Sequence, residues 1–173
     1  MGISAANLRR AMGCFATGVT VVTTRQKDGS PCGLTASAIT SVSLDPPLIL
    51  VCVDKKAESY PHFAPAGVFA VNVLDEDQQA ISSRFATSGG DKFTGLAYRW
   101  GETGVPILDQ RLAYLECRIV HAYEGGDHVI YVGEVERAEA GAGRPLLYYR
   151  GSYGALADSR ASENVPKGKK ANA

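Results

Sequence analysis

The hydrophobic pattern of this chain consists of short apolar runs, rich in β-branched residues, that alternate with polar segments rich in glycine, proline and aspartate. The runs occupy residues 19–24, 48–53, 68–74, 113–123, 128–138 and 145–150. Such runs predict strands, because a helix would need about ten or more residues with a 3.6-residue repeat.

Turn residues indicate which strands are neighbours. An Asp-Gly pair at 28–29 follows the first run and predicts a β-hairpin, and the glycine-containing connection 124–127 predicts a second hairpin between the two longest runs. A Pro-Pro pair at 46–47 separates the extended segment 33–43 from the apolar run that follows it. Strands at hairpin spacing without a βαβ rhythm predict a mainly β fold, an antiparallel barrel with short flanking helices.

Two short helices are expected beside these strands. Residues 7–16 carry an apolar stripe formed by Leu8, Met12 and Phe15, with an asparagine or serine near the start as cap. We expect this stripe to pack across one end of the sheet. Residues 75–86 predict the second helix, because an aspartate can cap it and a glutamine stands at the capping-box position.

The segment 33–43 is unusual for a strand. Most of its residues are glycine, alanine, serine and threonine, so it buries little apolar area. Small side chains permit close approach to the backbone, and hydroxyls can donate hydrogen bonds. The segment therefore indicates a ligand-contacting surface. The alternative is a half-exposed strand that lies against a neighbouring chain.

Composition and charge exclude several classes of function. The chain has 173 residues, which fits one domain, and 18 Lys and Arg residues balance 18 Asp and Glu residues, so nucleic-acid binding is not expected. No apolar run approaches the roughly 18 residues of a membrane-spanning helix. The four cysteines lack metal-ligand spacing, and we expect no metal site and a reducing, cytoplasmic location. Residues 1–154 are expected to form the domain, and residues 155–173 a disordered C-terminal tail.

Common nucleotide-binding and hydrolase motifs (GxGxxG after a strand, GxxxxGK[ST], HExxH, GxSxG) do not occur. Four other motifs resemble the short-chain flavin reductases, the small components of two-component flavin-dependent monooxygenases. They are FATGVTVVT at 15–23, GLTAS at 33–37, TSVSLDPPL at 40–48 and GDH at 126–128. The resemblance extends from about residue 8 to residue 154.

This resemblance implies an FMN-binding split β-barrel, antiparallel and Greek-key-like, that forms a homodimer. It implies transfer of a hydride from NADH or NADPH to FMN or FAD, and delivery of the reduced flavin to a separate monooxygenase. FMN and FAD, and NADH and NADPH, remain alternatives at this point.

The resemblance also implies a set of flavin-binding residues. In the family, a Thr-Ala-Ser segment contacts the phosphate and ribityl chain, the end of the next apolar strand lines the isoalloxazine, and outer segments and a C-terminal Tyr-Gly complete the pocket. The matching positions are Thr35, Ala36, Ser37 and Ala38; Cys52, Val53, Asp54, Lys55 and Ser59; Arg84, Phe85, Ala86, Lys92 and Phe93; and Tyr153. The residues alone also allow the outer segments to be a helix-end arginine, a solvated lysine and core aromatics, and Tyr153 to lie in a plain turn.

His128 matches the histidine of the family's Gly-Asp-His motif, which is associated with the nicotinamide side of the site. Hydride transfer needs no nucleophile and no metal, only a nicotinamide held against the flavin. The resemblance therefore implies that His128 positions the substrate or donates a proton. Its place on the same strand face as Ile130 also fits a histidine packed in the barrel.

Two rival functions keep a similar fold. A non-catalytic flavin- or haem-binding split-barrel module would bind flavin without oxidising NADH. An oxidase acting on pyridoxine phosphate would need a basic phosphate-binding cluster, which the sequence does not indicate.

Overall fold

A computed structural model describes residues 2–157 of the protein. Its elements in chain order are α1 (Ala5–Met12), β1 (Thr17–Gly18), β2 (Thr20–Arg25), β3 (Pro31–Ala36), β4 (Ile39–Leu44), β5 (Pro47–Asp54), α2 (Tyr60–Ala66), β6 (Val68–Val73), α3 (Gln79–Ala86), β7 (Tyr98–Trp100), β8 (Pro106–Leu108), β9 (Ala113–Gly125), β10 (His128–Ala140), β11 (Leu147–Tyr149) and β12 (Ser152–Gly154). Residues 158–173, and with them most of the expected disordered tail, lie outside the described residues. Within residues 2–157, every helix falls short of the length and hydropathy of a membrane span.

Seven strands form one antiparallel sheet in the order β3-β2-β6-β9-β10-β5-β4. Its two edge strands, β3 and β4, are consecutive in the chain and are joined only by Ser37 and Ala38. The sheet must therefore curl until its edges approach each other, which makes it a barrel with a split between β3 and β4. The prediction of a mainly β, antiparallel split barrel is confirmed.

The barrel interior is closed by aromatic and β-branched side chains. Phe63 and Phe69 are fully buried, and Phe63 stacks on Tyr131 with 5.5 Å between ring centroids. Phe69 packs so closely on Gly133 that a Cβ there would lie 2.6 Å from the ring, so only glycine fits at this point of β10. This packing leaves no room for a ligand at the barrel centre, and binding surfaces must lie at the split or outside the barrel.

Smaller elements cover the outside of β2 and β6. Strands β7 and β8 form a separate two-stranded sheet. The buried Asn72 of β6 fastens this sheet, because its Oδ1 accepts a hydrogen bond from the backbone N–H of Leu108 and its Nδ2 donates to the carbonyl of Val21.

Both predicted helices form, with two differences. Helix α3 begins at Gln79 and not at Asp75, since the backbone N–H of Asp75 bonds to Oε1 of Gln78 and Asp75 pairs with Pro145 in an isolated bridge. Helix α1 is capped by Ser4 and ends at Met12, so Phe15 follows the helix. The three residues of the predicted apolar stripe are exposed, with exposed fractions from 51% at Leu8 to 69% at Phe15. The expectation that this stripe packs on the sheet does not hold within the chain.

Candidate flavin site

The split between β3 and β4 brings hydroxyl groups together at residues 35–38, which we call the seam. Thr35 Oγ1 donates to the backbone carbonyl of Ser82 in α3 at 2.6 Å, and Ser82 Oγ is 2.9 Å from the hydroxyl of Tyr153. These residues line a cavity of about 150 Å³, together with Ser37 and Ala86, and we call it the seam cavity. The seam cavity therefore brings together four of the residues predicted from the sequence: Thr35, Ser37, Ala86 and Tyr153.

The other side of the seam leads to the end of β5. The backbone N–H of Cys52 donates to the carbonyl of Ala38 at 3.0 Å. Side chains alternate along β5, so Val53 is buried in the barrel while Cys52 and Asp54 are half-exposed on the outer face. The register of β5 with β10 places Asp54 opposite His128, so the outer face runs from the seam to this histidine.

His128 lies at the far end of this outer face, and we call the surface from the seam to His128 the strip. Its side chain is 39% exposed, and its Nδ1 is 2.8 Å from Oδ1 of Asp127, a contact that holds the pKa of Asp127 below its usual value. Because this carboxylate can only accept, Nδ1 carries the proton and Nε2 is free to meet a ligand. His128 shares the outer face with Ile130 and does not pack in the core, where Val129 and Tyr131 point.

Lys55 holds the β9–β10 turn next to His128. Its backbone N–H donates to the carbonyl of Asp127, and its ammonium group contacts both the Glu124 carboxylate and the Gly126 carbonyl. The hydrogen bond that Lys55 donates to Glu124 raises the pKa of Lys55. Lys55 therefore fixes the turn that carries Asp127 and His128.

A larger cavity of about 600 Å³, the loop cavity, lies between the edge of β3, the start of α2 and the loop after α3. Ser59, Lys92 and Phe93 line it. The hydroxyl of Ser59 is buried and has no hydrogen-bond partner within residues 2–157, and the Lys92 ammonium is 3.8 Å from Glu58. Ligand pockets in proteins are typically about 300–1,000 Å³. Volume, an unsatisfied hydroxyl and a cation together fit a phosphorylated cofactor.

Four other predicted site residues are buried, and a fifth, Arg84, is exposed but lies outside both cavities. Ala36, Val53 and Phe85 are buried in the hydrophobic core, so they can offer only backbone groups. Phe93 is also largely buried and packs edge-on against Phe85 at 5.1 Å. Arg84 donates to the carbonyl of Thr94 and is not among the residues that line either cavity.

The structure adds residues that the sequence did not single out. Ser82 and Tyr148 line the seam cavity, and Cys32 and Glu58 line the loop cavity. Burial raises the pKa of the Cys32 thiol to about 12, so this sulfur stays protonated. No local pattern marks Ser82, because its role depends on contacts with strands far away in the sequence.

Comparison with known proteins identifies the class. Residues 12–157 match the family model described as "Flavin reductase like domain". The chain is 46% identical over 149 residues to the reductase component of a 4-nitrophenol 4-monooxygenase/4-nitrocatechol 2-monooxygenase from Rhodococcus opacus, which covers 86% of this chain and 80% of that protein. It is 43% identical over 146 residues to the reductase component of a flavin-dependent trigonelline monooxygenase from Acinetobacter baylyi, covering 84% of this chain but only 47% of that longer protein.

Among solved structures, the NADH:FAD oxidoreductase SgcE6 of Streptomyces globisporus C-1027, in complex with NAD and FAD fragments, superposes with a TM-score of 0.84 at 40% identity and covers 89% of this chain and 93% of that one. Fold and matches together define an oxidoreductase of the flavin reductase class. The chain belongs to the flavin reductase-like family.

Proposed function

We propose that the protein transfers a hydride from NADH or NADPH to FMN or FAD and supplies the reduced flavin to a separate monooxygenase component. The observation that carries this proposal is the outer face of the barrel between the seam and His128, on which Cys52, Asp54 and His128 are half-exposed. Relatives named as reductase components of monooxygenases support the choice of an oxygenase as the consumer of reduced flavin.

In this proposal the seam and the loop cavity hold the flavin. Thr35 and Ser37 offer hydroxyls, the small residues Ala36 and Ala38 allow a flat ring to approach the backbone, and Lys92 supplies positive charge for a phosphate. When bound, the flavin supplies the hydride acceptor and the reduced nicotinamide supplies the hydride. The chain's task is to hold the two rings in a reactive stack and to exclude other orientations.

His128 is assigned to the nicotinamide side. Asp127 fixes the orientation of the imidazole through Nδ1, which leaves Nε2 to position the second substrate or to hold a proton near the reacting rings. Asp54, opposite His128 in the sheet, closes the strip beside it.

The test compares two histidines that lie on the same β9–β10 ribbon. His128→Ala should lower turnover or raise the KM for NAD(P)H roughly 10- to 1000-fold, because a positioning or proton-transfer group is lost. His121→Ala is the matched control: His121 is exposed and stacks on Tyr123, 5.7 Å away, outside the strip. NAD(P)H oxidation is followed by absorbance with FMN or FAD added, and flavin affinity by fluorescence titration.

Flavin affinity should be nearly unchanged in both variants, because the flavin is held by the seam. Equal turnover in His128→Ala and the wild type would remove His128 from the mechanism. A wild-type protein that binds flavin but does not oxidise NAD(P)H would be a non-catalytic binding module, and the proposal would be wrong.

The proposal includes a homodimer. The outer faces of β4 and β9 expose large apolar side chains, with 93% of Leu44, 49% of Val42 and 54% of Tyr123 accessible. Exposed large apolar side chains favour contact with another protein surface, and most homo-oligomers are two-fold dimers. Sedimentation should give a dimer for the wild type and a monomer for Leu44→Glu. A wild-type monomer with full turnover would contradict the dimer.

A cytoplasmic location is also proposed. All four cysteines are free, and Cys14 is exposed. Free exposed thiols persist in reducing compartments, which supports the cytoplasm.

A further inference from the structure

A cavity of about 540 Å³ lies between the end of helix α1 and the turn that joins β11 to β12. Its lining consists of Arg9, Arg10, Gly13, Cys14, Arg150 and Gly151, and we call it the arginine cavity. The backbone N–H of Arg150 donates to the carbonyl of Gly13 at 3.0 Å, which ties the turn to the helix end. Cys14 and Arg150 are 136 positions apart in the sequence, so the fold itself gathers these guanidinium groups.

The three arginines keep their charges unneutralised. Within residues 2–157, no ion pair joins any of them to a carboxylate, whereas other exposed arginines such as Arg137 are paired. The recorded partners are neutral: Arg10 donates to the side-chain oxygen of Asn7, and Arg150 contacts the Cys14 sulfur at 3.5 Å and the ring of Tyr149. Like charges around one concave surface repel each other and create a positive potential that favours an anion.

Helix stabilisation explains only part of this arrangement. Arg9 and Arg10 lie in the last turn of α1, where positive charge interacts favourably with the helix dipole. Arg150 belongs to a hairpin that is remote in sequence, but its guanidinium contacts Cys14 beside the same helix end, so its charge also interacts favourably with the dipole. It also has a φ of +50°, a conformation in which glycine is the usual low-energy residue. An arginine at such a position, in a cavity that two other arginines also line, points to a role for its side chain.

We propose that the arginine cavity binds a phosphate-bearing ligand. Guanidinium groups match phosphate oxygens with paired hydrogen bonds, and three arginines line this cavity. The volume suits a nucleotide-sized molecule as well as a small inorganic anion, and Tyr149, which is 44% exposed and contacts Arg150, offers a ring beside the site. The arginine cavity shares no lining residue with the seam cavity or the loop cavity, so it is a separate site.

Cys14 provides a local reporter of occupancy. It is the exposed cysteine of the four, whereas burial raises the pKa of Cys32 and of Cys117 to about 12. The alkylation rate of Cys14 by iodoacetamide, a neutral reagent, is measured by mass spectrometry at constant ionic strength with ADP, pyrophosphate or adenosine present. ADP and pyrophosphate should slow alkylation, and adenosine should not. If ADP protects Cys14 at lower concentrations than pyrophosphate does, the ligand is a nucleotide. If the two protect at equal concentrations, only the phosphate groups are recognised.

Variants test whether the arginines are responsible. Arg10→Gln and Arg150→Gln should each weaken the protecting affinity roughly 10- to 150-fold, the range for one lost charge-assisted hydrogen bond. Arg137→Gln, at an exposed arginine paired with Glu102, is the control and should not change it. Because Arg150 contacts the Cys14 sulfur, each variant is compared with its own ligand-free rate, and circular dichroism verifies its fold. The proposal is overturned if neither ADP nor pyrophosphate protects Cys14 in the wild type, or if protection is equal in the Arg10→Gln/Arg150→Gln double variant.

Discussion

Strands β2 and β4 lie in the same sheet and are both rich in serine and threonine, but their hydroxyl groups have different surroundings. In β2, Thr20, Thr23 and Thr24 are buried, and each hydroxyl donates to a backbone carbonyl elsewhere in the fold. In β4, Thr40 is exposed and reaches only the carbonyl of the next residue, at 3.3 Å. The buried hydroxyls of β2 stabilise the fold, whereas the exposed hydroxyl of Thr40 in β4 is accessible to solvent.

The difference shows that hydroxyl content alone does not identify a binding strand. Buried hydroxyls in proteins are hydrogen-bonded. The single O–H of Thr24 donates to the carbonyl of Val68 and is therefore not available to a ligand. Ser37, at the seam between the two regions, is exposed, and its hydroxyl has no hydrogen-bond partner within residues 2–157. Hydroxyl donors beside a cavity that have no protein partner are therefore a better signal of a ligand site than the content of serine and threonine.

The largest effect is expected at the seam. If the Ser37 hydroxyl contacts a flavin phosphate, Ser37→Ala loses one charge-assisted hydrogen bond, about 1.5–3 kcal/mol, or roughly 10- to 150-fold in flavin affinity. Because the hydroxyl has no hydrogen-bond partner within the described part of the chain, the free energy of unfolding should change by less than about 0.5 kcal/mol. Flavin titration and urea denaturation measure the two quantities.

Ser41→Ala is the control for this prediction, since Ser41 is an exposed serine of β4 that lines neither the seam cavity nor the loop cavity. It should leave both quantities unchanged. An unaltered flavin dissociation constant in Ser37→Ala would show that its hydroxyl does not contribute to binding.

Thr23→Val should have the opposite effects: it should destabilise the fold and leave flavin affinity unchanged. Its hydroxyl donates to the carbonyl of Pro106 in β8 and accepts from Nδ2 of Asn72, and all of these groups are buried. The substitution should lower the free energy of unfolding by about 1–3 kcal/mol, since a buried carbonyl is left unsatisfied. Flavin affinity per folded molecule should not change. Thr23→Ser keeps the hydroxyl and removes only the methyl group, so it should lose less stability than Thr23→Val. Equal stability of Thr23→Val and the wild type would show that this hydroxyl does not stabilise the fold.

Much of the fold could be predicted from sequence because its main strands are continuous β-branched runs. The run 68–74 corresponds to β6, Val68–Val73, and the two longest runs form the β9–β10 hairpin. Strands β7 and β8 have three residues each, too few for a periodic pattern, and they depend on the long-range hydrogen bond between Asn72 and Leu108. The exposed stripe of α1 shows a second limit: amphipathicity predicts a buried face but does not say what buries it.

The candidate site was predictable only through motifs. The segment 33–37 was unusual enough to indicate a ligand surface, and the GDH motif drew attention to His128. Its connections were not predictable, because Thr35 meets Ser82 across 47 positions and Ser82 meets Tyr153 across 71. Alternation also explains why Val53, between Cys52 and Asp54, points into the core and can offer a ligand only its backbone.

The smallest effect is expected in β4, at Thr40→Val. Its hydroxyl is exposed and makes one weak local contact, so the free energy of unfolding should change by less than about 0.5 kcal/mol in either direction. Urea denaturation at two protein concentrations also tests whether β4 contacts a partner subunit. If β4 contacts a partner subunit through the face that exposes Val42 and Leu44, the midpoint of the wild type rises with concentration, because dimerisation stabilises the folded state by mass action. A Thr40→Val loss above about 1 kcal/mol that is independent of concentration would show that this hydroxyl stabilises the single chain, and would remove the contrast with β2.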